Sequence, residues 1–201
     1  MKFLGKFLVL AACVAAAQSP QTGQPAAPAA SAATADQTQL AAMVKQQFGD
    51  TFTIPAKFSP PLITADFDGD GVEDVAIVAD SKDPLPDSFA FKYEVADPYH
   101  AYFGFGNTKI TSTFSVDPGH THHFLVIFGS GKESWHAATP KAKFVLINVP
   151  FDTFEVGRML ISKKKPPIFV IKALESQIMD SALWWEAKKK RWRWEPGNTV
   201  Q

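Results

Sequence analysis

Cysteine is almost missing from this chain. One residue, Cys13, stands among 201, and it falls in the N-terminal apolar run. Disulfide bonds and thiol chemistry are thereby excluded from the remainder. An excess of one charge is missing too: the formal net charge is zero. Beyond the N-terminal run no apolar stretch reaches the roughly 20 residues that a membrane-spanning helix needs. Signatures of covalent and nucleotide chemistry are also lacking. Ser130, in Gly129-Ser130-Gly131, has no Gly-x-Ser-x-Gly elbow around it. Gly104-Phe105-Gly106-Asn107 has neither the further spacing nor the βα setting of a phosphate-binding loop. No catalytic constellation stands out.

What is present is enough for a core: 17 Phe and 5 Trp in a length for which one domain is the default. The balanced charge is unevenly placed. Residues 66–97 hold ten acids and two bases, whereas residues 158–193 hold ten bases and three acids. Either the two regions lie close and compensate each other, or the second forms a basic patch for an anionic partner.

One stretch carries specific chemistry. Residues 66–74 read DFDGDGVED, with Asp66, Asp68 and Asp70 at loop positions 1, 3 and 5 and Asp74 at position 9. Calcium takes six to eight oxygens, chiefly carboxylates, carbonyls and waters, and this spacing sets short carboxylates around one centre. Gly71 permits the sharp turn, and Val72 at position 7 offers its backbone carbonyl. Asp74 serves directly or through water. The helical EF-hand is excluded, because its position 12 needs Glu and here is Ile77. Without a metal the stretch is a solvated acidic turn of mutually repelling carboxylates. The flanks at 61–65 and 75–79 are short, apolar and β-branched, so the loop joins strand to strand. Over residues 61–80 the pattern D-x-D-G-D-G-x-x-D, followed by an apolar strand, resembles the FG-GAP/VCBS (integrin-type) calcium-loop repeat, present as a single copy. The resemblance implies Asp66, Asp68, Asp70 and Asp74 as side-chain ligands, Val72 as a carbonyl ligand, and a structural Ca2+ whose filled shell leaves no place for substrate. Residues 124–131 (FLVIFGSG) are similar to the strand and Gly turn that follow such loops.

Residues 1–17 read as an export signal: Lys2 and Lys6, an apolar run from Phe7, then Ala15-Ala16-Ala17. Two routes stay open. Cleavage after Ala17 leaves a soluble protein, whereas residues 10–13 resemble a lipobox with Cys13 as the lipidated residue. Residues 18–35 are rich in Ala, Pro, Gln, Ser and Thr and form a disordered tether. Residues 36–197 are expected to make a single globular domain.

Within that domain, Leu40, Met43, Val44 and Phe48 form one helical stripe over residues 36–49, with Asp36 or Thr38 as cap and Gly49 as stop. Strands are expected at 52–54, 90–96, 110–116, 124–128, 143–149 and 168–173. Residues 80–119 read as an insertion. Residues 151–161 show no firm period. His120 and His122 alternate onto one strand face with the spacing to share a transition metal, His136 or His100 completing the set. Residues 182–195 read as a β-hairpin, with Trp192 and Trp194 on one face and Arg191, Arg193 and Glu195 on the other. Those tryptophans either close the core or form a platform for sugars or anionic polymers.

The expectation is an α+β fold, mainly antiparallel β-sheet, with one N-terminal helix and a strand–loop–strand calcium turn. The function expected is that of an exported bacterial cell-envelope protein, periplasmic, extracellular or lipid-anchored. It is read as non-enzymatic, binding a protein or glycan of the envelope. Nucleic acid is not expected as a partner, and the membrane is touched only through a lipid on Cys13. Two alternatives stand beside it: a metal-dependent hydrolase built on His120 and His122, and a purely structural envelope protein.

Overall fold

The computed structural model describes residues 37–105, 122–175 and 179–197. The leader, the tether, the strand expected at 110–116 and His120 lie outside the described residues. No helix among the described residues is long and apolar enough to cross a membrane.

Helix α1 (Gln37–Phe48) forms where the stripe was expected. Leu40, Val44 and Phe48 are buried and Met43 packs beside them. Gly49 ends it at φ +94°, its N–H donating to the Lys45 carbonyl at 3.0 Å. A Cβ at Gly49 would stand 2.4 Å from Asp87 Oδ2, so glycine answers crowding as well as conformation.

The strands form two sheets rather than one. The first contains β1 (Leu62–Ala65), β2 (Asp74–Asp80), β3 (Glu94–Ala96), β4 (His122–Phe128) and β5 (Ala142–Leu146), in the spatial order β1-β2-β4-β5-β3. All its pairs are antiparallel except β3, which runs parallel to β5. The second is an antiparallel meander of β6 (Thr153–Met159), β7 (Ile168–Glu175), β8 (Met179–Glu186) and β9 (Arg191–Pro196). Two more short helices, α2 (Ser88–Phe91) and α3 (Pro98–Tyr102), correct the expectation of a single helix.

The strand expected at 90–96 divides. Its first part is the end of α2, stopped by Lys92 at φ 55°, and its last three residues are β3. The expected strand at 52–54 reduces to one bridge, Thr53 against Asp80. The strand expected at 143–149 stops at Leu146, and Asn148 turns the chain at φ 60°. Within the region read as an insertion, residues 94–96 join the edge of the first sheet.

The layers are helix, sheet, sheet. One face of the first sheet, with Leu62, Val75, Ile77, Leu125, Ile127 and Val145, lies under α1, Phe52 and Tyr93. Its other face, with Ala76, Val78, Phe124, Val126, Phe128 and Phe144, packs on Ile171, Leu183, Trp192 and Trp194 of the second sheet. Being covered on both sides, β2 and β4 are apolar at consecutive positions and do not alternate. The hairpin β8–β9 places Trp192 and Trp194 inward, 1% and 5% exposed. That closes the core and removes the sugar platform, since the ring faces are not available.

Candidate metal centre

The acidic stretch connects β1 to β2, with Ala65 opposite Asp74 at the mouth of the hairpin. Gly69 and Gly71 adopt φ +79° and +88°, which a side chain would strain. These turns aim a series of amides at the carboxylates. Asp66 Oδ1 accepts from the N–H groups of Gly69 (2.8 Å) and Asp70 (3.0 Å), and its Oδ2 from Gly71 (2.9 Å). Asp68 Oδ1 accepts from Asp70 N–H at 3.1 Å, and Asp70 Oδ1 from Val72 N–H at 2.8 Å.

Asp74 sits deepest, 1% exposed. Its Oδ2 accepts from Phe67 (2.8 Å) and Asp68 (3.3 Å), and its Oδ1 from Gly129 (2.8 Å). It therefore ties the loop to itself and to the end of β4. Burial pushes its carboxyl up to about 7, the neighbouring Asp68 charge adding to the effect and the three amides opposing it. Gly129 must be glycine for the approach, because a Cβ there would meet the Glu73 carbonyl oxygen at 2.3 Å.

One oxygen each from Asp66, Asp68 and Asp74 lies within 4.8 Å of the others. This is a three-carboxylate, all-oxygen cluster able in principle to hold a metal ion. A carboxylate has about four lone-pair sites. Asp66 and Asp74 each accept three amides, so each retains room for a cation. Asp70 takes another part: its Oδ2 and Asp68 Oδ2 share the Lys141 ammonium, each at 2.6 Å. Partial burial works against the charge on Lys141, but its bonds to Asp68 and Asp70 outweigh it and hold the ammonium above the ordinary lysine range. The same ammonium holds the Asp70 carboxyl below its usual range against desolvation. Val72 is half-buried behind the loop.

Sequence reasoning missed three supports. Lys141 lies just before β5, about seventy positions from the loop. Glu73 accepts from Thr64 Oγ1 (3.1 Å) and from the Trp135 indole N–H (3.2 Å), fastening the loop to the 3-10 segment Gly131–His136. Gly129 supplies the third amide on Asp74. Of these, the Gly turn after residues 124–128 was visible in the sequence, without its partner.

The four described histidines are not gathered. His122 bonds Asp80 through Nδ1, and its ring packs on Phe58 and Phe151. His123 points to the opposite face, fully buried, its Nε2 3.1 Å from the Ser81 carbonyl. Burial holds that imidazole below the ordinary histidine range, against its bond to Ser81. His100 is fixed by Asp97 at 2.9 Å, which Asn148 Nδ2 also reaches at 2.7 Å. His136 stacks on Trp135 with ring centroids 3.5 Å apart. The three-carboxylate cluster contains none of them. Beside His122, Phe58 forms a wall of an open cleft of about 410 Å³ between β1 and β6, where Lys57, Asp152, Phe154 and Glu155 also face the space.

Fold and site together define a mixed α+β, two-sheet protein with an acidic hairpin loop that groups three carboxylates at ion-binding distance. Comparison with family models, curated proteins and solved structures found no match.

Proposed function

We propose that the chain is a non-enzymatic, calcium-stabilised module of the bacterial cell envelope that binds a protein or glycan. The observation that carries this reading is the convergence of Asp66, Asp68 and Asp74 within 4.8 Å, each already oriented by backbone amides or by Lys141. An all-oxygen set of short carboxylates on a tight turn suits a hard cation such as Ca2+. Asp66, Asp68 and Asp74 supply side-chain oxygens in this reading, and Asp70 and the Val72 carbonyl complete the set, as in an FG-GAP/VCBS-type loop. Lys141 is 47% exposed along its side chain, so its ammonium can swing to solvent when a divalent ion takes its place.

The metal's role is structural. It offsets carboxylates that otherwise repel, so its binding free energy becomes folding free energy. Export, by a signal at 1–17 with or without lipid on Cys13, supplies the setting. The cleft at Phe58 offers the ligand surface: two aromatic rings, with Lys57, Asp152 and Glu155 at the rim. Such a mixture suits a hydroxyl-rich or peptide ligand.

Elemental analysis of the protein purified from calcium-containing medium tests the metal. About one calcium per chain, lost in Asp68→Ala/Asp70→Ala, is the expected result. Stoichiometric zinc that survives this double substitution and disappears in His120→Ala/His122→Ala overturns the reading in favour of a metal-dependent hydrolase.

A further inference from the structure

The two long hairpin turns of the second sheet lie side by side. Met159 faces Ile168 across the β6–β7 hairpin, and Glu186 faces Arg191 across β8–β9. Ile171 faces Leu183, so β7 begins at the end of the sheet where β8 finishes. Both turns therefore project from the same end. Each carries three consecutive lysines, at 163–165 and at 188–190, all six exposed. Residues 158–168 contain four bases and no acid, and residues 186–193 five bases and one acid. That acid, Glu186, is shared by Lys189 at 3.1 Å and Arg191 at 2.8 Å, so it leaves most of the charge uncompensated.

Amid this charge the first turn exposes two aliphatic residues, Leu160 at 46% and Ile161 at 44%. Their neighbour Met159 is buried against Val170 and Ala182 on the outer face of the second sheet. The carboxylates of the β1–β2 loop occupy the same end of the stack, on the first sheet, because Gly129 bonds Asp74 and the adjacent Phe128 packs on Trp185 and Trp192 at 5.2 and 5.8 Å. Lys141 takes up part of their charge.

We propose that this lysine-rich end of the second sheet docks on an anionic lipid bilayer. Lysines at headgroup level answer the negative surface, and each adds to the attraction independently of exact geometry. Leu160 and Ile161 follow β6 directly, at the base of the turn whose tip is residues 162–165, so they reach the acyl boundary when the turn lies flat on the surface with its lysines at headgroup level. Lysine is suited to that depth because its aliphatic stem lies along apolar surface while its ammonium stays in water. A soluble polyanion is matched equally well by the lysines, but it gives no use to the paired aliphatics. The bilayer accounts for both. The contact involves residues apart from the metal cluster, and it holds with or without a metal in the loop.

Co-sedimentation of the purified chain with vesicles, in chelator, tests the proposal. Vesicles of phosphatidylcholine with about one-third phosphatidylglycerol should carry the protein down, and pure phosphatidylcholine should not. Changing Lys163, Lys164 and Lys165 together to Gln, or Lys188, Lys189 and Lys190 together, should each weaken binding at least about tenfold. The double substitution Leu160→Ser/Ile161→Ser should also weaken vesicle binding while leaving retention on a heparin column unchanged. All eight side chains are exposed, so an unaltered unfolding midpoint should accompany each loss. Failure to bind the anionic vesicles, or binding indifferent to the lysines, overturns the proposal. So does vesicle binding that needs the lysines but ignores Leu160 and Ile161, which assigns the surface to a soluble polyanion.

Discussion

Asp74 brings the chemistry of the loop into one side chain. It is buried, it holds three amides from two separate segments, and it contributes to the cluster with Asp66 and Asp68. Its raised pKa fixes a sign. Between about 3.8, its ordinary value, and about 7, the folded metal-free protein keeps a proton on Asp74 that the unfolded chain has released. The folded state then binds more protons, so the contribution of this group to stability falls as pH rises through that window. A divalent cation reverses the trend, because it binds the ionised carboxylate and competes with the proton. The calcium-induced rise in unfolding midpoint is therefore expected to be larger at pH 8 than at pH 5.5. Scanning calorimetry at the two pH values measures it, and equal rises would argue that Asp74 does not contact the metal.

At the scale of elements, α1 is what covers the outer face of the first sheet. Phe48 is fully buried and meets Phe52 and Tyr93 at 6.0 and 5.5 Å between ring centroids. Phe48→Ala opens a cavity that β2 and β4 cannot fill, since both are held from either side. A loss of about 3–5 kcal/mol is expected. Urea unfolding reads it directly, and a loss below about 1 kcal/mol would mean that the helix is not a structural layer.

The same burial explains which elements were legible. The stripe of α1 and the continuous apolar runs of β2 and β4 announce themselves because each is long and its apolar residues follow one rule. β6 does not. Phe154 and Val156 face the inner core, but the phase reverses at Gly157 and Met159 is buried on the other face. Two residues of alternation followed by a reversal give no readable period. α2 is one turn long, too short for a helical stripe, and its Phe89 is 95% exposed, so apolar character misleads there. In the site the carboxylates were legible, because loop spacing is local. Lys141, Trp135 and Gly129 were not legible as its partners, because sheet pairing and the β4–β5 connection bring them from 55 to 73 positions away.

Across the whole molecule, the two sheets meet through aromatic rings, and their common end gathers the acidic loop and both lysine turns. The acidic loop closes the first sheet at that end, and the lysine turns extend the second. This resolves the charge asymmetry of the sequence in part: the acids of 66–74 and the bases of 158–193 do approach the same end of the stack. Lys141 reaches the loop from the first sheet's own connection, and the six turn lysines remain exposed. The loop also touches three segments of the chain through Asp74, Glu73 and Lys141. A cation held there would consolidate more than the hairpin. By mass action, ligand at about a hundred times its dissociation constant adds about 2.7 kcal/mol to a fold that binds it only when native.

Thermal unfolding of the chain in EDTA and then across a calcium series, beside Asp68→Ala/Asp70→Ala, tests this claim most directly. The account predicts that calcium raises the midpoint of the parent by several degrees and leaves the variant unmoved. A parent whose midpoint is the same in EDTA and in saturating calcium would contradict it, and would leave the acidic loop as a turn held by its own amides and Lys141.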